Sequence, residues 1–74
     1  MRNYYSLSGK PSGIKGYKYG TDYIIIYFKR GSAYTYSANS CGTEHVDAMK
    51  RLADAQNGLS AYISRNKPTY SLKR

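Results

Sequence analysis

Twelve Lys and Arg against four Asp and Glu give this 74-residue chain a formal charge of +8, while Val, Ile, Leu and Phe together number only eleven. So few aliphatics beside so much charge would signal disorder, but the ten tyrosines bring rings that bury as much apolar area as Leu and keep a polar tip. One Cys and one His exclude a disulfide framework and an ordinary four-ligand zinc site, and the longest apolar run, Tyr23 to Phe28, is too short to span a membrane.

In chain order, residues 1–13 hold Ser6, Ser8, Gly9, Pro11, Ser12 and Gly13 and read as a flexible arm. Ile14 to Tyr19 reads as a strand, and Gly20-Thr21-Asp22 as a turn. Tyr23 to Phe28 is the strongest strand signal, a solid β-branched and aromatic run. Lys29-Arg30-Gly31 then suits a three-residue loop, a type I turn with a G1 bulge, before a third strand at Ala33 to Tyr36. That loop length pairs Phe28 with Ser32, Ile26 with Tyr34 and Ile24 with Tyr36. Ile24, Ile26, Phe28, Tyr34 and Tyr36 then share one face, and Tyr23, Ile25, Tyr27, Ala33 and Thr35 the other; a two-residue loop would instead move Tyr34 and Tyr36 to the second face, where they would join the binding surface.

Thr43 reads as the N-cap of a helix, with Glu44 at its positive end. Val46, Met49, Leu52 and Ala53 form its apolar stripe, and Asn57-Gly58 its stop. Leu59, Tyr62 and Ile63 suggest a second, shorter helix that ends before Pro68, and residues 71–74 a basic tail. The expected architecture is α+β: a three-stranded antiparallel meander followed by two short helices packed on one sheet face.

The first 43 residues carry +5, residues 44–56 carry −1 and residues 57–74 carry +4. On the helix, Asp47–Arg51 and Lys50–Asp54 have i,i+4 spacing and are expected to compensate each other. A near-neutral helix disfavours insertion into a major groove. The sheet and loops are left as the positive surface, and an acidic partner as the expectation.

Three constellations stand out. On the second sheet face, Tyr23 and Tyr27 are flanked by Lys15, Lys18, Lys29 and Arg30, with Arg65 and Lys67 beyond. Exposed rings bordered by bases stack nucleobases while the cations hold phosphates. The same tyrosines also suit cross-strand pairs that only stabilise the sheet, or a homodimer contact. Second, the amides of Ser40, Cys41, Gly42 and Thr43 precede the helix and suggest an anion site. A Cys41–His45 catalytic pair lacks a group to orient the imidazole. Third, none of the seven glycines has a Walker A or dinucleotide-binding arrangement. With no paired carboxylates, no enzymatic activity and no cofactor are expected.

Phe28-x-x-Gly31-x-x-Tyr34-x-Tyr36, preceded by Ile24 and Ile26, resembles the strand–turn–Tyr-x-Tyr core of the KTSC domain. That short module occurs at the C-terminus of some lysyl-tRNA synthetases and alone in small bacterial and phage proteins. Gly16-Tyr17 is similar to the family's first-strand element, and Gly58-Leu59 through Ile63 to its C-terminal segment. The resemblance spans about residues 12 to 70. Where the family often passes directly into a Val-Pro helix start, this chain has Ser37 to Gly42. The resemblance implies no established biochemical activity; RNA binding is suggested by the family's fusion to a tRNA synthetase.

The expectation is a small cytoplasmic module that binds RNA or single-stranded nucleic acid through a basic, tyrosine-bearing sheet. The alternative is a protein–protein interaction module that engages an acidic protein surface, with the edge of Ile14 to Tyr19 free to accept a partner strand.

Overall fold

A computed structural model describes residues 2–4 and 13–74 of the chain. Most of the expected N-terminal arm, residues 5–12 with residue 1, lies outside the described residues. The fold is α+β, with a five-stranded antiparallel sheet in the order β1 (Arg2–Asn3), β2 (Ile14–Tyr19), β3 (Tyr23–Phe28), β4 (Ala33–Ser37) and β5 (Leu72–Lys73). Three helices follow β4: α1 (Ala38–Cys41), α2 (Thr43–Asp54) and α3 (Leu59–Asn66). Three strands and two helices were expected, so each end of the chain adds an edge strand and a short helix precedes α2.

The β3–β4 hairpin has the register that its loop length implies. Ile24 pairs with Tyr36 and Ile26 with Tyr34, and the Phe28 N–H donates to the Ser32 carbonyl at 2.8 Å. Gly31 closes the loop at φ 101°, a backbone conformation that glycine adopts without steric cost. Ile24, Ile26 and Tyr36 are buried, and Phe28 and Tyr34 pack partly against the same core.

Strand β2 departs from plain alternation. Ile14 pairs with Phe28 but Gly16 with Tyr27, so a β-bulge lies between Ile14 and Gly16. The extra residue brings Ile14 and Tyr17, three positions apart, onto the same inner face. Both are buried, and Val46, Met49, Ala53 and Leu59 from the helices close over them.

The edges differ most from expectation. β1 pairs Arg2 with Tyr17 and Asn3 with Gly16, so it occupies the β2 edge read as open to a partner strand. Tyr4 follows with only 4% of its surface exposed. Its hydroxyl oxygen accepts from the Leu59 N–H at 3.1 Å, which satisfies a backbone donor at the start of α3. The other end of the chain, read as a basic tail, pairs Tyr34 with Lys73 and Thr35 with Leu72.

The helix ends also differ in detail. Ser37 caps α1 through a reciprocal box: its Oγ accepts from the Ser40 N–H at 3.3 Å, and its own N–H donates to the Ser40 Oγ at 3.0 Å. The N-cap of α2 is Gly42, with no side-chain capping bond, where Thr43 was expected. The stop comes at Gln56 (φ 58°) rather than at Asn57-Gly58. The Gln56 N–H donates to the Ala53 carbonyl and the Asn57 N–H to the Leu52 carbonyl, a Schellman pattern. No helix among the described residues is long and apolar enough to cross a membrane.

The Tyr4 bond gives a direct test. Tyr4→Phe keeps the ring but leaves the buried Leu59 N–H without its acceptor, a loss of about 1–3 kcal/mol. Urea unfolding followed by circular dichroism is expected to show a lower midpoint for the variant. An unchanged midpoint would mean that the N-terminus is not anchored this way.

Candidate nucleic-acid interface

The outer sheet face opposes the helix layer. Tyr23, Ile25 and Tyr27 project from it along β3, each half-buried and none part of the core cluster. Across the sheet, Lys18, Ile25, Thr35 and Leu72 form one row, with Leu72 46% exposed. Gly16 and Ala33 flank Tyr27 on the neighbouring strands. Tyr23 lies over Gly20, where an added Cβ would run into its ring. At the far end of the face, Lys15, Tyr27, Phe28, Gly31 and Ser32 line a cavity of about 290 Å³.

The expected binding residues therefore divide. Lys18, Tyr23 and Tyr27 share the outer face, and Lys15, at the bulge, joins Tyr27 in the cavity. Lys29 and Arg30 sit exposed at the hairpin tip. Arg30 turns toward the helix side, with its guanidinium carbon 5.9 Å from the centre of the Phe28 ring. Arg65 and Lys67 lie at the end of α3 on the helix side, so the fold does not bring them to Tyr23 and Tyr27.

A second aromatic group, not anticipated from the sequence, occupies the helix side of the β4–β5 edge. Phe28 and Tyr70 both meet Tyr34 edge-on, at 5.2 and 4.8 Å between ring centres. Tyr36 stacks on Tyr34 at 6.4 Å, and Lys73 Nζ lies 5.4 Å over the Tyr34 ring. Tyr-x-Tyr spacing puts Tyr34 and Tyr36 on one face, but Tyr70 and Lys73 join them only because the chain returns as β5. Burial pushes the Tyr36 hydroxyl up to about 12.

At Ser40 to Thr43 the expected anion site is not assembled. The Ser40 amide is taken by Ser37 Oγ and the Gly42 amide by the Ala38 carbonyl. Cys41 ends α1, and burial raises its thiol above the ordinary value, opposite to activation. Its Sγ lies 3.4 Å from the Ser37 carbonyl, while His45 Nδ1 is 2.6 Å from the Tyr62 hydroxyl. No group of three or more metal-ligating side chains occurs among the described residues.

The electrostatics turn on Asp54. Its carboxylate accepts from the Tyr17 and Tyr19 hydroxyls, each at 2.7 Å, and from Arg2 at 3.3 Å. Those claims explain why the expected Lys50–Asp54 pair is absent: Lys50 donates to the Thr21 carbonyl at 2.8 Å and lies over the Tyr19 ring. The Asp47–Arg51 pair is absent as well. Among the described residues, Arg2–Asp54 is the one ion pair within 4.0 Å. The cations of the outer face and the hairpin tip are thus left without carboxylate partners.

No family model matches the chain, and neither a curated protein nor a solved structure matches it. The arrangement of residues alone carries the functional reading.

The Asp54 cluster sets a pH window for stability. The Tyr19 hydrogen bond, with a further one from Tyr17, holds the Asp54 carboxyl below its ordinary 3.8. A depressed folded-state value gives stability that is fully present above about 3.8 and is lost as pH falls through the lower value. The same bonds, with burial foremost for Tyr17, raise both hydroxyls above 10.0. A raised value gives stability that is present below 10.0 and is lost as pH rises through the folded-state values. Asp54→Asn is expected to be less stable than the parent at pH 7 and to narrow that gap as pH falls below 3.8. Thermal melts across pH 2–7 check this, and a gap independent of pH contradicts it.

Proposed function

We propose that this chain is a small non-enzymatic module that binds RNA or single-stranded nucleic acid on the outer sheet face. The observation that carries the reading is the cavity in which Lys15 and Tyr27 meet, at the end of the Tyr27–Ile25–Tyr23 row. A lysine and an aromatic ring that line one cavity offer phosphate and base the two contacts that single-strand binding uses. Lys15, Lys18 and Lys29 contact phosphates, and Tyr27 and Tyr23 stack on bases. Adjacent side chains on one strand face repeat at about 7 Å, so Tyr23 and Tyr27 address bases about 13 Å apart. The absence of carboxylate partners supports the reading, since bound phosphate has no internal acid to displace.

Fluorescence anisotropy with a labelled 12-nucleotide RNA, repeated from 50 to 300 mM salt, provides the test. Log K is expected to fall linearly with log salt, with a slope near −0.7 per phosphate contacted. Tyr27→Ala is expected to weaken binding by about 1–3 kcal/mol, or roughly five- to 150-fold, while circular dichroism stays unchanged. No binding at low salt, an affinity indifferent to salt, or a folded Tyr27→Ala variant with full affinity would each overturn the proposal.

A further inference from the structure

Two cations converge on the Tyr34 side chain near the hairpin tip. Arg30 Nη2 donates to the Tyr34 hydroxyl at 3.4 Å, and Lys73 approaches the same side chain from β5, over its ring. The positive charge of Lys73, ahead of that of Arg30, holds the Tyr34 hydroxyl below its ordinary value. Neither cation has an acidic side chain within 4.0 Å, and both are exposed. Tyr70, 45% exposed, adjoins Tyr34. A guanidinium at the hydroxyl and an ammonium over the ring bring together, at one side chain, the donors that a phosphate accepts from.

We infer that Arg30, Lys73 and the Tyr34 hydroxyl form a phosphate-binding site on the helix side of the hairpin tip, with Tyr70 as the ring on which the attached base stacks. The source of the phosphate rests on the nucleic-acid reading above. The path is short, because Phe28 lines the outer cavity and also lies beneath the Arg30 guanidinium. A strand held at Lys15 and Tyr27 crosses Gly31 and turns onto the second site. The hairpin tip is then a post around which the strand bends, rather than the margin of a flat platform.

Uridine 5′-monophosphate and uridine, titrated separately while the Tyr ring resonances are followed by NMR, test the site. The monophosphate is expected to give saturable shifts at Tyr34 and Tyr70, and uridine to bind at least tenfold more weakly. Arg30→Gln with Lys73→Gln is expected to lose at least tenfold in monophosphate affinity, and Arg30→Gln alone part of that. The double variant is also expected to keep its Tyr27-dependent RNA binding, with a salt slope about 0.7 shallower. Silence at Tyr34 and Tyr70, equal binding of uridine, or full monophosphate affinity in the double variant would overturn the site. If RNA binding proves independent of Tyr27 while the monophosphate response persists, the outer-face reading fails and this site stands.

Discussion

The Asp54 carboxylate joins three elements that the rest of the fold depends on: β1 through Arg2, β2 through Tyr17 and Tyr19, and α2 through its own backbone. The need for it follows from composition. With eleven Val, Ile, Leu and Phe residues in 74, the core takes Tyr4, Tyr17 and Tyr36 in place of aliphatics. A buried ring contributes apolar area, but its hydroxyl must reach water or a hydrogen-bond partner. Tyr17 reaches Asp54, and Tyr4 reaches the Leu59 amide. No buried side-chain nitrogen or oxygen among the described residues is left without a partner. Tyr4 and Tyr17 can stand in place of leucine because the first amide of α3 and the carboxylate at the end of α2 lie within reach of their hydroxyls.

That solution shapes the surface. One of four acids is engaged by two hydroxyls and Arg2, and Glu44 and Asp47 lie on the exposed side of α2. Asp22, the fourth, lies exposed in the turn between β2 and β3, at the opposite end of β3 from the hairpin tip. Arg30 and Lys73 lie over the Phe28 and Tyr34 rings and Lys15 shares a cavity with Tyr27, while none of Lys15, Lys18, Lys29, Arg30 and Lys73 is in an ion pair within 4.0 Å among the described residues. A positive field without internal compensation attracts anions over distances near the Debye length, about 8 Å at physiological salt. The proposed strand would meet that field first and the tyrosines second.

Much of the centre of the fold was legible in the sequence. Gly31 after Lys29 and Arg30 favoured a three-residue loop over a two-residue one, and the observed register of β3 and β4 is the one that the longer loop implies. The parts that were not legible lack a local signal. A two-residue strand has no periodicity, so neither Arg2–Asn3 nor Leu72–Lys73 announces itself. The bulge before Gly16 changes which residues of β2 face inward without altering the composition. Ser37 and Ser40 stand three apart, as their capping box requires, but a four-residue helix falls below the length at which an apolar stripe forms and was not expected. The same division holds for the candidate sites. Tyr23 and Tyr27 follow from alternation along one strand, whereas Tyr34, Tyr70 and Lys73 meet only through chain return. Asp54 looked like the partner of Lys50 because i,i+4 spacing is local. The competing Tyr17 and Tyr19 hydroxyls lie 37 and 35 residues away.

The central claim is a division of labour among tyrosines, with some closing the core and others meeting a partner. Tyrosine-selective chemical footprinting, read by mass spectrometry with and without a 12-nucleotide RNA, tests both halves in one measurement. The account predicts that Tyr4, Tyr17 and Tyr36 resist modification in the free protein, that Tyr23, Tyr27 and Tyr70 react, and that RNA protects Tyr23 and Tyr27. Ready modification of Tyr4 or Tyr17 in the folded protein, or RNA that leaves Tyr27 as reactive as before, would contradict it.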